Sequence, residues 1–386
     1  MDHKKVIPLS VPYLGGNELK YVSDCIETGW VSSAGAYVSQ FEEMLADFAG
    51  QRYGVAAVNG TSGLHLAMHI LGVEQGDLVI VPNITFIASA NAVVYTNAEP
   101  LFIDVDPDTW QMDLDLLEEF LQDQTIQIDG ECYLSKSSNK EINQRIAAIM
   151  PVHVLGNICD MPRLAQIGEK YNIAIIEDAT ESLGSYRNGQ HTGSWGTMSV
   201  FSFNGNKIIT TGGGGVITTD DESLAKRAKH LSTQSKVNPE TYYHDEIGFN
   251  YRLVNVLAAI GVAQMEQLEE FIQKKKSIDK YYREQLNGVG DIKFQSVDDQ
   301  VDPNCWLFTF YTKKQKALLE VLKSNQIIAR PFWTPMNQLP MFKDMIYISD
   351  QDHSKDIHQY CLSIPSSVNL SKEDLQRVVT VIKSCY

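Results

Sequence analysis

The sequence has no C-x-x-C pair; its cysteines, Cys25, Cys132, Cys159, Cys305, Cys361 and Cys385, are scattered without regular spacing. That excludes a zinc ribbon or a secreted disulfide framework, and no metal site is expected. No run approaches the roughly 20 apolar residues of a membrane-spanning helix. The apolar stretch near the start is short and broken by Pro8 and Pro12, unlike a cleavable signal. A cytoplasmic location is expected. Positive charge is also scarce, with 32 Lys plus Arg against 48 Asp plus Glu and a net charge of −16. This argues against a grip on nucleic acid or a polybasic membrane anchor, while leaving room for one small phosphate ligand. The P-loop pattern is missing because Lys207 precedes the glycines near it and Ile208 follows it. No G-x-G-x-x-G follows a strand, which weakens a nicotinamide oxidoreductase. The spacing in Gly60–Leu64 does not fit the G-x-S-x-G elbow of a serine hydrolase.

What is there is ordinary in bulk: 386 residues, 44% hydrophobic and 21% charged. This is enough for two or three domains and a large core without staples. Short apolar runs alternate with amphipathic segments. Strands are expected at Tyr53–Val58, Leu78–Val81, Pro100–Val105, Ile146–Met150 and Ile173–Glu177, with helices at Thr61–Leu71, Thr85–Thr96 and Met161–Tyr171. Such alternation predicts an α/β fold with a mainly parallel sheet covered on both faces, and ligands where strands end and helices begin. Two β-rich runs, Met198–Phe203 and Gly215–Thr219, flank a glycine-rich turn. Val254–Leu286 reads as one long helical pattern, so a large domain over 1–249 and a smaller α+β domain over 250–386 are expected. The polar stretch Gln122–Arg145 reads as a surface insertion with a hairpin around Glu131–Leu134.

Three segments carry unusual residues. Ile173–Asp178 is an apolar strand that runs into two acids. Asp178 reads either as a site carboxylate or as the cap of the next helix. Glu177 and Asp178 point to opposite faces of a strand, so they are poorly placed to flank one glycosidic bond. Ser202–Gly215 places Lys207 between a β-rich run and four glycines. There the lysine is either an amine nucleophile in small or apolar surroundings or a surface lysine beside a hairpin. Asn59–Ala67 is a small, hydroxyl-rich turn opening a helix, either an anion cradle or a simple Thr or Ser cap. With Phe86 after a strand, the three form one ordered set. A Schiff-base lysine, an acid for a ring nitrogen and a phosphate cradle are the needs of pyridoxal phosphate.

On the motifs N-G-T-S-G-L-H, P-N-I-T-F-I-A-S, P-V-H-V-L-G-N, I-E-D-A-T-E-S-L-G-S, S-F-N-G-N-K and G-F-N-Y-R-L, the chain resembles the DegT-like nucleotide-sugar aminotransferases of the type I aminotransferase fold. The resemblance implies Lys207 as the Schiff-base lysine and proton shuttle, Asp178 against the pyridinium nitrogen, Phe86 on the ring face and Glu181 near the ring hydroxyl. Many members carry Gln or His where this chain has Glu181. It implies Thr61, Ser62 and Ser202 at the phosphate, with Asn250 reaching it from the neighbouring subunit of a homodimer with shared active sites. As residues alone, Asn250 also reads as a helix cap and Trp30 as core. Arg252, Trp30, Val31 and Ser32 would lie on the substrate side. His153 has two readings: lining the site or satisfying a buried hydrogen bond.

The segments P-L-S-V-P-Y-L-G-G-N-E, T-G-W-V-S-S-A-G and D-G-E-C-Y-L resemble the LegC-type 4-aminotransferases. Those aminate a 4-keto-6-deoxy nucleotide sugar such as UDP-2-acetamido-2,6-dideoxy-hexos-4-ulose, with L-glutamate as donor, for bacillosamine- or legionaminic-acid-type glycans. A dehydratase of the same fold usually has His in place of the lysine, so Lys207 argues against that branch. A regulatory protein that binds the cofactor without amine transfer is the remaining alternative.

Overall fold

The computed structural model describes residues 5–135, 144–238 and 240–386. Its main sheet has eight strands in the order Tyr53–Ala57, Gly215–Thr219, Met198–Ser202, Ala174–Asp178, Ile146–Ile149, Leu78–Pro82, Glu99–Ile103 and Tyr347–Ile348. Gly215–Thr219 runs antiparallel to both of its neighbours, and the pairings from Met198–Ser202 onward are parallel. The middle strands read as unbroken apolar runs because both sheet faces are covered. Val79, Val81, Phe102, Ala148, Ile176, Met198 and Val200 pack against the helices Gly60–Ile70, Ala88–Tyr95 and Glu222–Ser232. Ile80, Leu101, Ile103, Ile149 and Ile175 pack on the other face against Leu114–Gln124 and Met161–Tyr171. The Met161–Tyr171 helix has Pro162 in its first turn, and Asp160 Oδ1 accepts from Arg163 N.

The expected helix over Val254–Leu286 is two helices, Asn255–Met265 and Leu268–Leu286. At the break a side chain occupies a helical acceptor. Gln267 Nε2 donates to Ala263 O at 3.2 Å, the carbonyl its own backbone N–H would take in a continuous helix. That N–H bonds Gln264 O at 3.1 Å instead.

Packing also moves the division expected at residue 250. Ala258 and Val262 share a core with Phe41, Phe201 and Phe203, so the first of these helices belongs with the larger part. The second bridges two cores: Leu268, Phe271 and Ile272 sit in that same cluster, while Ile278, Tyr282 and Leu286 pack with Phe308, Phe310 and Leu362. The smaller part has an antiparallel sheet ordered Lys293–Phe294, Phe308–Tyr311, Cys361–Ile364 and Arg330–Pro331. It also returns Tyr347–Ile348 to the edge of the main sheet. The polar insertion does hold a hairpin, Thr125–Ile128 with Glu131–Leu134; its stretch 136–143 lies outside the described residues.

Candidate active site

The unusual residues converge where the parallel strands end. A cavity of about 590 Å³ is lined by Thr61, Phe86, Asp178, Glu181, Ser202 and Lys207, and by Trp306, Arg330 and Trp333 of the smaller part. Asp178 closes its strand and is buried, at 2% exposure. It does not cap a helix. Its Oδ2 accepts from Ser89 Oγ at 2.6 Å and its Oδ1 from Thr180 N at 3.2 Å. Ser89 is held in turn by Thr85, hydroxyl to hydroxyl at 2.9 Å. These two contacts fix the carboxylate's orientation within the cavity wall.

Lys207 sits on the loop between Met198–Ser202 and Gly215–Thr219. The loop folds back on itself, with Phe203 N donating to Gly214 O at 2.9 Å and Thr211 N to Phe203 O at 3.0 Å. Gly212 has φ +81°, a conformation that costs a side chain energy, so a glycine there lets the turn close. Lys207 Nζ lies 3.5 Å from Glu181 Oε1 and 4.3 Å from the centre of the Trp306 ring. Glu181 is 4% exposed and also accepts from Leu155 N at 2.9 Å. Burial pushes its carboxyl up to about 7, with the Lys207 charge pulling the other way.

The helix Gly60–Ile70 opens onto the same cavity. Asn59, rather than Thr61 or Ser62, is its cap: Asn59 Oδ1 accepts from Ser62 N at 2.8 Å. The first-turn N–H groups of Gly60 and Thr61 have no intrahelical acceptor, and the helix start favours an anion. A Cβ on Gly60 would stand 2.8 Å from Ser202 Cβ, so this glycine lets Ser202 close against the helix start. Among the described residues the hydroxyls of Thr61 and Ser202 have no hydrogen-bond partner. An amine, a buried carboxylate and a hydroxyl-lined helix start around one cavity are the donor set that pyridoxal phosphate requires, and the residues present fit it.

Several expected site residues lie elsewhere. His153 is fully buried; its Nε2 meets Glu177 Oε2 at 3.0 Å, and it does not line the cavity. The buried-hydrogen-bond reading therefore holds, because the neighbouring strand supplies an acid on its far face. Arg252 does not line the cavity either, as Glu42 draws its guanidinium into a buried ion pair. Arg252→Ala is expected to cost roughly 3–5 kcal/mol of stability by stranding the Glu42 charge, measurable by denaturant unfolding. Ser62 is absent from the lining. Asn250 is exposed and caps no helix; the cap position of Asn255–Met265 is Val254. Trp30 and Val31 are 58% and 45% exposed, so Trp30 is not core within one chain. Trp30 O and Ser32 O are held by Asn255 Nδ2 and N, each at 2.7 Å. Sequence reasoning missed Trp306, Arg330 and Trp333. Ser89 closes a quoted motif and was open to notice.

The doubly covered sheet, with its lysine loop and buried acid, defines a pyridoxal-phosphate enzyme of the type I aminotransferase fold. Residues 12–383 match the DegT/DnrJ/EryC1/StrS aminotransferase family, and the chain belongs to it. It is similar to the GDP-perosamine synthase of Escherichia coli O157:H7, 35% identical over 387 residues that cover 99% of each chain. It is also similar to the GDP-perosamine synthase of Caulobacter vibrioides, 35% identical over 386 residues and 97% of each chain. Among solved structures, a DegT DnrJ EryC1 StrS aminotransferase from Brucella abortus matches with a TM-score of 0.87 at 26% identity, over 96% of this chain and 95% of that one. No helix among the described residues is long and apolar enough to cross a membrane.

Proposed function

We propose that this aminotransferase moves the amino group of L-glutamate onto the carbonyl of a 4-keto-6-deoxy nucleotide sugar. UDP-2-acetamido-2,6-dideoxy-hexos-4-ulose is the acceptor that the LegC-type motifs favour, giving a 4-amino sugar for surface glycans of the bacillosamine or legionaminic-acid type. The reading is carried by one observation: a single cavity holds Lys207, Asp178 and the helix start, together with Arg330 and Trp333 from the smaller part. Bound pyridoxal phosphate supplies an aldehyde for amines and a ring that accepts electron density.

The chain's own residues would then divide the work. Lys207 Nζ anchors the cofactor and, once free, carries a proton between the two reacting carbons. Asp178 holds a proton at the ring nitrogen. Glu181, beside the amine, would face the ring hydroxyl, and Phe86 would cover the ring face. Thr61, Ser202 and the N–H groups of the helix start would hold the phosphate, and Ser62, the next residue of that helix, would assist them.

Asn250, Trp30, Val31 and Ser32 lie outside the cavity of their own chain and are exposed, which supports a homodimer in which they complete the partner's site. Arg330 offers the cavity a guanidinium that donates to Ala329 O, its own neighbour, at 3.1 Å. Arg330→Ala is expected to weaken an anionic reactant roughly 10- to 100-fold, the loss of one charge-assisted hydrogen bond. The loss should fall on KM, with kcat little changed, when glutamate and nucleotide sugar are varied in turn.

The names of the similar perosamine synthases favour a second acceptor, a GDP-linked 4-keto sugar. The purified protein, given pyridoxal phosphate and glutamate, is offered UDP- and GDP-linked 4-keto-6-deoxy sugars, and the amino sugar and 2-oxoglutarate are followed by mass spectrometry. Amination of the UDP sugar supports the first acceptor, and amination of the GDP sugar alone supports the second. Cofactor binding with no amine transfer to either would leave the regulatory alternative standing.

A further inference from the structure

Lys275 is a buried lysine that the chemistry above leaves without a task. It sits on the helix that bridges the two cores, between Ile272 and Ile278, at 2% exposure. No carboxylate pairs with it among the described residues. Its Nζ donates instead to two carbonyls of the smaller part, Trp306 O at 2.8 Å and Ser366 O at 2.5 Å. Burial pushes its amine down to about 7. A neutral amine still has two N–H groups, one for each carbonyl, so these bonds do not require the charge.

The Trp306 end of this contact leads to the active site. Trp306 N donates to Asn304 Oδ1 at 2.9 Å, so its backbone is pinned on both sides. Its indole N–H donates to Asn206 O at 2.7 Å, the carbonyl just before Lys207. The same ring lies under the Lys207 amine at 4.3 Å. Lys207 and Lys275 also face one narrow crevice with Tyr13 and Gln264. Besides those two lysines, Tyr13 is the ionisable group lining this crevice; Glu181 faces the Lys207 amine at 3.5 Å, and the Cys305 thiol neighbours Lys275.

We infer that Lys275 is a positioning residue: it holds Trp306 so that the indole both clamps the backbone before Lys207 and sets the environment of the Lys207 amine. The inference rests on Lys207 being the reacting amine. The ring over the amine and the bond to Asn206 O hold Lys207 in place and shield it, its side chain being only 12% exposed, so loss of the ring leaves the amine more accessible.

The test reads Lys207 directly, in the full chain freed of cofactor. Lysines are labelled with trace acetic anhydride at one pH, and the Lys207 peptide is quantified by mass spectrometry against the other lysine peptides. Trp306→Leu is expected to raise Lys207 labelling several-fold, because it uncovers the amine and frees the backbone before it. Lys275→Met should raise it in the same direction and add nothing in the double variant. Unchanged Lys207 labelling in Lys275→Met, with only a lower melting temperature, would show a merely structural lysine and overturn the inference. Lower labelling would overturn it as well, since the amine would then be better covered without the lysine. Should Lys275→Met not fold, unchanged labelling in Trp306→Leu alone still refutes the inference. Bleaching of the wild-type cofactor band by glutamate is read separately, so failure of the reaction and failure of the relay remain distinct.

Discussion

Lys207→Ala is expected to lose the glutamate-driven bleaching of the cofactor's visible band and to lower turnover by at least roughly 10²–10⁴-fold, the range for a positioned proton-transfer group. Two roles meet in this one amine. In the proposed mechanism it would be the nucleophile that anchors the cofactor and, when released, the base that moves the proton. Asp178 and the phosphate cradle are untouched by the substitution, so the variant should still take up pyridoxal phosphate, with the band of a free aldehyde. Spectra of wild type and variant, before and after L-glutamate, check both statements. Wild-type bleaching alone establishes the lysine chemistry. A variant that bleaches at the wild-type rate would remove Lys207 from the mechanism.

The second large effect is expected on stability, at Glu177. This carboxylate is fully buried on the sheet face away from Asp178. It accepts from Gly193 N at 2.9 Å, Trp195 N and Gly196 N at 2.7 Å each, and Ser199 Oγ at 2.9 Å, and it meets the His153 ring. Burial alone would raise its carboxyl. The bond and charge of His153, with the N–H groups of Gly196 and Gly193, bring it below the usual range. Glu177→Ala strands every one of these partners and is expected to cost roughly 3–5 kcal/mol, seen as a lower denaturant midpoint.

The pH dependence follows from the sign of that shift. A depressed carboxyl contributes stability that is present above its unfolded value of about 4.3 and is lost as pH falls through the folded value. Acid titration of unfolding in wild type and variant should therefore differ most above pH ~4.3 and converge below it.

Much of this fold was legible because the main sheet is buried on both faces. Its strands therefore read as short apolar runs, and Leu78–Pro82 and Ala174–Asp178 begin and end within a residue or so of the runs themselves. Lys207, Asp178, Phe86 and Thr61 were legible for a related reason: Asp178 ends a strand and the others follow closely on one, where such folds gather ligands.

What was not legible depends on remote partners. His153 read equally as a site residue or a buried hydrogen-bonding group, and Arg252 as a substrate-side residue; Glu177 on the neighbouring strand and Glu42, far away in the chain, claim them. Arg330 lies on a strand only two residues long, which carries no periodicity to read. Trp306 lies outside any regular element, and only the tertiary fold brings it beside Lys207.

The helix Leu268–Leu286, which belongs to two cores at once, bears on how substrate preference can be re-engineered. Chimaeras that graft the C-terminal part of one relative onto another are a natural way to exchange residues such as Arg330 and Trp333. A crossover at residue 250 would send the Asn255–Met265 helix, and the Leu268–Ile272 turns after it, into a foreign partner for Phe41, Phe201 and Phe203. A crossover after Leu286 would mismatch Ile278 and Tyr282 with Phe308 and Leu362. Either junction cuts through a packed interface. Functional recombinants would have to carry one parent's version of this helix together with its contacts on both sides, so the smaller part is inherited as a mosaic and not as a cassette.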